Sequence, residues 1–375
     1  MALRVEKAVS PVHTQVTWLL VDEDTFVPHP EGRAFSLFLR GAGRSPETMR
    51  AYLPRVGRFL NWCATAGVDW RTVGLLDLAR FKTTLETTPI HADGRRRTGK
   101  SVNAVLTSVC EYLRFCAAHG LIDASVAARL SERRFVTHLP TGVDPGEYGH
   151  RFVRARALRA SEITQAPQTL TGRQVAQLLE ACSQARDELL ISVMVEGGLR
   201  IGEALGLRRE DMHLLPDSSH LGCSLAGAHL HARPRQDNPN GARGKSGCPR
   251  AVPVRHEFVE VYRRHLQERE SVWQAQGCDF VFVNMTGEHA GRPMSYSNAQ
   301  QLIGRLGKRC GVRVHPHLFR HTAATNWVRG GASIDVVQSL LGHAQQSSTA
   351  VYLHASDADR RAAVQRAQPP PLAEA

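Results

Sequence analysis

The chain has 375 residues, a formal net charge of +12, 42% apolar residues and 22% charged residues, which is a globular composition rather than a disordered or fibrous one. No apolar run approaches the roughly 18 residues that span a bilayer, and no apolar core precedes a cleavage site near the start. The composition therefore argues against membrane and secreted proteins, and the length predicts two domains.

The positive charge is spread along the chain. Residues 1–140 hold 19 Lys and Arg against 13 Asp and Glu, and residues 141–375 hold 28 against 22, so each part has a net charge of +6. A long polyanion that contacts both parts would explain this distribution. On charge alone, the alternative is a basic soluble protein that binds no polyanion.

The eight cysteines are scattered and form no CxxC pair. This pattern favours neither a disulfide framework nor a cysteine zinc site. No acidic cluster indicates a Mg²⁺ site either. The sequence therefore predicts no metal and no cofactor.

The first part of the chain predicts helices. Residues 1–29 show no regular pattern and are expected to form an irregular N-terminal segment. Residues 30–139 carry apolar side chains at helical spacing without a strand pattern, which predicts an all-α domain. Ser45 and Pro46 fit an N-cap followed by proline at the first helical position, and Gly67 would end that helix.

Residues 140–169 differ in composition, with prolines and glycines followed by arginines. We interpret them as a basic interdomain linker. Their arginines would either follow a phosphate backbone or form a solvated face, and we favour DNA contact. The candidate DNA contacts in the whole chain are Arg95, Arg96, Arg97, Lys100, Arg151, Arg154 and Arg243.

Residues 170–356 mix helix and strand patterns, and residues 357–375 form a tail. Thr171 and Gln174 fit a capping box. The predicted fold class is mainly α with a small β-sheet or hairpin region, an all-α N-terminal domain followed by an α+β domain. The expected elements are helices at 187–196, 256–270 and 297–310, short strands within 225–254 and at 280–283, a helix from Pro316 to Gly330, and one from Ser333 to Gly342.

Two segments of this second part place arginine beside groups that suit a phosphate. In GGLRIGEALGL, Glu203 lies one helical turn after Arg200, so the two form either part of a reactive site or a structural salt bridge. In HPHLFRHTAAT, His317, Arg320 and His321 are spaced i, i+3 and i+4 near a helix N-terminus, where an anion is favoured.

Two further segments add a lysine, a histidine and a tyrosine, of which the tyrosine is the one plausible nucleophile. In GARGKSGCPRAVPV, Lys245 lies at the tip of a presumed hairpin, and in LGHAQQSSTAVYLH, His343 follows a helix-ending glycine with Tyr352 nine residues later. Phosphoryl transfer needs charge stabilisation, an acid for the leaving group and a nucleophile. The set therefore predicts transesterification through a phosphotyrosine without a metal.

In order and spacing these motifs resemble the tyrosine recombinases, the lambda-integrase family. Residues 170–355 resemble the catalytic domain, residues 30–135 resemble the helical core-binding domain, and the last two motifs are most similar to transposon-encoded members. The resemblance implies a role for each residue. Arg200, Arg320 and His343 would hold or support the scissile phosphate, and Tyr352 would be the nucleophile. His317 would act in proton transfer, and Lys245 would protonate the 5′-hydroxyl leaving group. Glu203 would be a neighbouring acidic residue, and His321 would be structural. The hairpin departs from the family pattern because its loop is long and also contains Arg243.

The resemblance implies a site-specific DNA recombinase that cuts and rejoins strands through a 3′-phosphotyrosine, for integration, excision or transposition of a mobile element. Its partners would be double-stranded recombination sites, on which a homo-tetramer would assemble, and accessory proteins remain open. No membrane partner is expected, and the location would be cytoplasmic, with the bacterial nucleoid.

Three alternatives remain at this point. A metal hydrolase would use His315, His317, His321 and His343, but Arg320 lies among these ligands and no HExxH arrangement is present. A non-catalytic DNA-binding regulator would need neither Tyr352 nor Lys245. A type IB topoisomerase would share the chemistry and relax DNA without a defined pair of sites.

Overall fold

The computed structural model describes residues 2–9, 16–90, 93–135, 152–162, 167–235, 238–244 and 248–342. The chain divides into two compact units, Met1–Thr164 and Gln165–Ala375. The division falls inside the segment that we predicted as a linker, residues 140–169. None of the helices in the described ranges combines the length and apolar character needed to cross a bilayer.

The first unit combines helices with two β-hairpins. Its elements are β1 (Leu3–Val9), β2 (Val16–Asp22), α1 (Pro30–Gly41), α2 (Pro46–Ala66), α3 (Leu75–Thr87), α4 (Gly99–Ala118), α5 (Ala124–Arg129), β3 (Ser131–Phe135) and β4 (Phe152–Arg156). Aromatic and aliphatic side chains of α1, α2 and α4 form its core, with Phe35, Phe59 and Tyr112 fully buried. Ser45 caps α2 as predicted, since its hydroxyl accepts a hydrogen bond from the Thr48 N–H at 3.2 Å.

The N-terminal segment is not irregular, and the first unit is not purely α. Strands β1 and β2 pair in antiparallel register, and Leu20 of β2 is fully buried against the helices. A methyl group at Gly57 of α2 would lie 2.7 Å from Cδ1 of Leu20, so the small residue admits the strand. Strands β3 and β4, rich in arginine, lack the apolar alternation that marks a strand in sequence.

The second unit packs helices around a small antiparallel sheet. Its elements are α6 (Gly172–Glu180), α7 (Ala185–Val195), α8 (Ile201–Leu205), β5 (Met212–His213), β6 (His229–Ala232), β7 (Arg250–Pro253), α9 (His256–Glu270), α10 (Tyr296–Arg309), α11 (Pro316–Arg329) and α12 (Ile334–Leu341). Every residue of α7 except Arg186 and Glu188 is buried, which makes α7 the centre of the core. The sheet has the order β5-β6-β7.

The predicted capping box of α6 is present. The Thr171 hydroxyl accepts a hydrogen bond from the Gln174 N–H, and the Gln174 side-chain oxygen accepts one from the Thr171 N–H. The predicted strand at residues 280–283 is instead a buried segment with bends at residues 281 and 282, and it makes only isolated bridges, Arg208 to Phe280 and Val283 to Pro293. The predicted fold class, mainly α with small β elements, is confirmed.

Candidate active site

Arg200 lies at the start of α8, directly after a tight glycine turn. Gly198 has a φ of +61°, and a methyl group there would lie 2.6 Å from the ring of Trp327, so the turn requires glycine. The backbone N–H of Arg200 donates to Oε2 of Glu203 at 2.9 Å, and its Nη1 donates to Oε1 at 3.0 Å. The Arg200–Glu203 contact expected from the spacing is therefore formed.

Arg320, on α11, reaches the same carboxylate from another element. Its Nη1 donates to the Gly198 carbonyl and its Nη2 to the Leu341 carbonyl, both at 2.6 Å. Nη1 also lies 3.8 Å from Oε2 of Glu203. Arg320 thus ties the turn before Arg200 to the end of α12 and meets Arg200 at one acidic side chain.

A third arginine, Arg250 at the start of β7, completes this cluster. Its Nη2 and Nη1 donate to the two oxygens of Glu203 at 2.7 and 3.3 Å, and its Nε donates to the Leu340 carbonyl at 2.6 Å. Sequence reasoning missed Arg250. An arginine at the beginning of a short strand is typical of a surface position, and only the tertiary fold brings it to Glu203.

The arginine cluster, which we define as Arg200, Arg250, Arg320 and Glu203, carries excess positive charge. Burial alone would raise the pKa of Glu203, but the hydrogen bond and charge of Arg250, the Arg200 N–H and the charge of Arg320 together hold that pKa below its ordinary value. One carboxylate thus faces three guanidinium groups. The Arg200 side chain is 22% exposed, against 7% for Arg250 and 3% for Arg320, so Arg200 is the most accessible of the three arginines.

The two histidines of α11 lie side by side. Pro316 occupies the first helical position as predicted, and the rings of His317 and His321 stack with centroids 6.2 Å apart. His317 is exposed and His321 is half-buried, whereas Arg320 is directed into the protein. Among the residues that the structure describes, His315, His317 and His321 belong to no cluster of metal-ligating side chains.

The loop that leads to Lys245 is held against α8. A methyl group at Gly202 would collide with the backbone of Arg243, and one at Gly244 would lie 3.6 Å from Cγ of Glu203. Asn240 adds a second anchor, since its side-chain amide donates to the Leu205 carbonyl at 3.0 Å. The chain therefore enters the predicted lysine segment beside the arginine cluster, although Lys245 itself lies outside the described residues.

The C-terminal end of α12 is also held at the arginine cluster. Gly342 adopts a left-handed conformation with φ 65°, which ends the helix as predicted. Arg250 and Arg320 donate to its last carbonyls, those of Leu340 and Leu341, and so neutralise the negative end of the helix dipole. The predicted residues His343 and Tyr352 follow and lie outside the described ranges.

Candidate DNA contacts of the first unit include a group of arginines before α4. Arg95 is exposed and pairs with Asp93 at 3.1 Å, and Arg96 is also exposed. Arg97 is half-buried, and burial together with the charge of Arg58 lowers its pKa. An anion bound beside Arg97 would offset the repulsion that it experiences from the charge of Arg58.

The remaining candidate DNA contacts occupy different elements. Lys100 is exposed in the first turn of α4, and Arg154 of β4 is the register partner of Arg133 in β3. Arg243 is exposed on the loop beside α8. Arg151 lies outside the described residues.

The sequence also matches a family model. Residues 168–359, just over half of the chain, match the model described as the phage integrase family. The chain belongs to the phage integrase family. It is a tyrosine recombinase, an enzyme that cleaves and rejoins DNA, so the predicted family and enzyme class are confirmed.

Similar proteins match two thirds or more of this tyrosine recombinase. Transposase A from transposon Tn554 of Staphylococcus aureus is 28% identical over 92% of both chains. Tyrosine recombinase XerD of Lacticaseibacillus casei is 27% identical over 68% of this chain and 73% of its own.

Two solved structures have the same fold. The integrase of transposon Tn1549, in complex with a circular intermediate DNA, matches with a TM-score of 0.59 and 17% identity over 89% of this chain and 98% of that one. A lambda integrase dimer bound to a core site matches with a TM-score of 0.56 and 14% identity over 92% and 99%.

Proposed function

We propose that this recombinase cuts each DNA strand by attack of Tyr352 on a phosphodiester held by Arg200 and Arg320. The phenolic oxygen of Tyr352 forms a bond to phosphorus, and the bond from phosphorus to the 5′ oxygen breaks. His317 takes the phenol proton, and Lys245 protonates the departing 5′ oxygen. Attack by a 5′-hydroxyl of a partner strand then releases Tyr352 and rejoins the DNA.

The observation that carries this proposal is the arginine cluster around Glu203. Arg200 and Arg320, which are 120 positions apart in the numbering, reach one carboxylate with Arg250. Fixed guanidinium groups stabilise the charge that develops on the oxygens of a phosphoryl group in the transition state. A solitary salt bridge would need only one arginine, so the excess of cations favours an anion-binding site.

The chain order around the cluster supports the other roles. Gly244, immediately before Lys245, lies close to Glu203, where an added methyl group would be 3.6 Å from Cγ. The Leu341 carbonyl, two positions before His343, accepts a hydrogen bond from Arg320. The last described residues before Lys245 and before His343 therefore both lie beside the arginine cluster. His317 is exposed on the helix that carries Arg320, where it is accessible to a substrate.

We propose double-stranded ends of a mobile DNA element as the substrate. The printed names of the transposon Tn554 and Tn1549 proteins support this choice. Positive charge on both parts of the chain suits a duplex that contacts both units, with Arg97 and Arg154 among the contacts. Recombination of two sites would need four protomers, one for each strand that is cut.

A trapping experiment tests the chemistry. The purified protein is incubated with DNA that spans the ends of its element and carries a nick near the cleavage site, in buffer with and without Mg²⁺. We expect a denaturation-resistant adduct in both buffers, with Tyr352 joined to a 3′-phosphate in the digested peptide. An adduct on another residue, a 5′-phosphate linkage or a strict need for Mg²⁺ would contradict the proposal.

A modified substrate tests the acid. Lys245→Ala should slow cleavage of ordinary DNA and cleave a 5′-bridging phosphorothiolate at nearly the wild-type rate, because sulfur leaves without a proton. Lys308→Ala is the matched control and should leave both rates unchanged. Failure of the phosphorothiolate to rescue Lys245→Ala would assign the acid to another residue.

A further inference from the structure

Three histidines and a cysteine of the second unit form a cluster outside the arginine cluster. His213, Cys223, His229 and His231 each offer one nitrogen or sulfur atom, and these atoms lie within 4.8 Å of one another. Sγ of Cys223 is 3.2 Å from Nε2 of His229 and 3.6 Å from Nε2 of His231. Ligand atoms of a tetrahedral zinc site are about 3.3–3.6 Å apart, given Zn–N near 2.0–2.1 Å and Zn–S near 2.3 Å. The cluster is thus close to zinc geometry and would need only a small contraction.

The pairing of β5 with β6 creates this arrangement. His213 is the register partner of His229, and His231 lies two residues further along β6 on the same face. The three ring centroids are 4.4 to 5.1 Å apart. A turn through Gly222, with φ 72°, then brings Cys223 back to the strands.

Two of the histidines have ring nitrogens in states that suit a bound metal. The Nδ1–H of His229 donates to the Gly227 carbonyl at 2.7 Å, which leaves Nε2 with a lone pair directed at Cys223. Such a bond from the second ring nitrogen is the usual support of a metal-bound histidine. His213 is 5% exposed, and its Nδ1 is buried without a hydrogen-bond partner in the described structure. Buried polar atoms without a partner are rare, and a bound ion nearby would account for this one.

The segment between the two strands has little apolar packing of its own. Leu215, Leu221 and Leu225 are exposed, the first two at 56%. Hydrophobic burial therefore contributes little to holding residues 214–228 in place. A metal clip that closes such a loop supplies the missing stabilisation.

We propose that His213, Cys223, His229 and His231 bind one zinc ion that holds residues 214–228 against β6. A set of three imidazoles and one thiolate suits Zn²⁺, and Cys223 would lose its proton to solvent on binding. All four positions are filled by protein ligands, so the site is structural and leaves no position for substrate. The ligand spacing in sequence resembles no common zinc motif, which is why the sequence predicted no metal.

Metal analysis of the full-length protein tests this site. Wild type and variants are incubated with Zn²⁺, desalted and measured by elemental mass spectrometry. We expect about one zinc per chain in wild type and less than about 0.2 in Cys223→Ser and His231→Gln, because losing one ligand of four opens the site. Cys248→Ser and His220→Gln are the matched controls, since both residues are exposed and lie outside the cluster.

Two further measurements keep the result clear if a variant folds poorly. Cobalt added to metal-free wild type should produce a thiolate-to-cobalt charge-transfer band, and a chelator should lower the Tm of wild type and of both controls. No zinc in wild type, or as much zinc in both cluster variants as in the controls, would overturn the proposal. A different metal bound through these four residues would overturn its assignment to zinc.

Discussion

Glu203 is the residue on which three arginines meet, and its contacts separate two kinds of arginine. Arg250 and Arg320 are buried and also bond to the last carbonyls of α12, so they join elements of the fold. Arg200 is more exposed, and within the described part of the chain its guanidinium bonds to Glu203, one helical turn away. The same charge therefore has different consequences at the two positions that we assign to the phosphate.

The conservative variants Arg200→Lys and Arg320→Lys should separate these roles. Lysine cannot make the two-pronged contact of a guanidinium, so both variants should cleave about 10²–10³-fold more slowly. Arg200→Lys should keep its stability within about 1 kcal/mol. Arg320→Lys breaks a buried network and should cost about 3–5 kcal/mol.

Urea unfolding and single-turnover cleavage measure the two effects, with Arg264→Lys, an exposed pair with Glu188, as the neutral control. Wild-type cleavage by Arg200→Lys would contradict its place on the phosphate.

The lowered pKa of Glu203 predicts a pH dependence of stability. Because the folded-state pKa lies below the ordinary 4.5, the charged carboxylate stabilises the fold above that pH, and this contribution is lost as the pH falls through the lowered value. The stability difference between wild type and Glu203→Gln should be large at neutral pH and shrink below about pH 4.

Urea unfolding over a pH series measures this difference, with Glu260→Gln, an exposed carboxylate, as the control. A difference that stays constant down to pH 3 would contradict the linkage.

Local spacing explains which of these contacts the sequence could predict. Glu203 lies three residues after Arg200 on one helix, so their contact follows from helical geometry. Arg250 reaches Glu203 through the pairing of β7 with β6, and no local pattern marks it. Sequence patterns did not reveal the proposed zinc site because strand register joins His213, His229 and His231, and a turn through Gly222 brings Cys223 to them.

At the scale of elements, the short helix α8 holds the loop of residues 238–244 in place. Gly202 lies under the backbone of Arg243, so the loop toward Lys245 contacts the helix closely. Gly304 of α10 is a matched helical glycine with open space around it.

Gly202→Ala and Gly304→Ala should therefore have opposite effects. Alanine in a helix interior gains about 0.5–1 kcal/mol over glycine, so Gly304→Ala should raise the Tm. Gly202→Ala should lower the Tm and slow cleavage, because its methyl group displaces the loop that leads to the proposed acid. Thermal unfolding and cleavage assays measure both, and a stabilised, fully active Gly202→Ala would show that the close contact has no role.

Elements with local end signals were predictable, whereas strands with mixed patterns were not. Ser45, Thr171 and Pro316 mark helix starts that the structure confirms. The sequence did not predict the hairpin of β1 and β2 because its side chains are buried by contact with α2, and the two strands lack a clear alternation of apolar and polar residues. The segment at 280–283 was predicted as a strand because its residues are apolar, yet it pairs only at single bridges.

At the scale of the whole molecule, the proposed assembly depends on residues beyond the described ranges. The sequence Ala358–Ala367 is weakly amphipathic and follows the proposed nucleophile directly. A head-to-tail contact between protomers can close into a ring when the rotation allows. We propose that this segment docks on a neighbouring protomer and that a monomer in solution becomes a tetramer on paired sites.

Truncation after Ala355 tests that proposal. The shortened protein should bind a single DNA site with wild-type affinity and fail to form the paired complex, because only the contact between protomers is removed. Mobility shifts and light scattering on DNA with one and two sites measure this. Normal paired complexes and recombination by the truncated protein would contradict it.

The attack of Tyr352 on DNA is the central claim, and Tyr352→Phe tests it most directly because only one hydroxyl is removed. Tyr296→Phe, at an exposed tyrosine of α10, is the matched control. On nicked trapping DNA, Tyr352→Phe should bind normally and form no covalent adduct, while Tyr296→Phe forms it as wild type does. A 3′-phosphotyrosyl adduct formed by Tyr352→Phe would contradict the account.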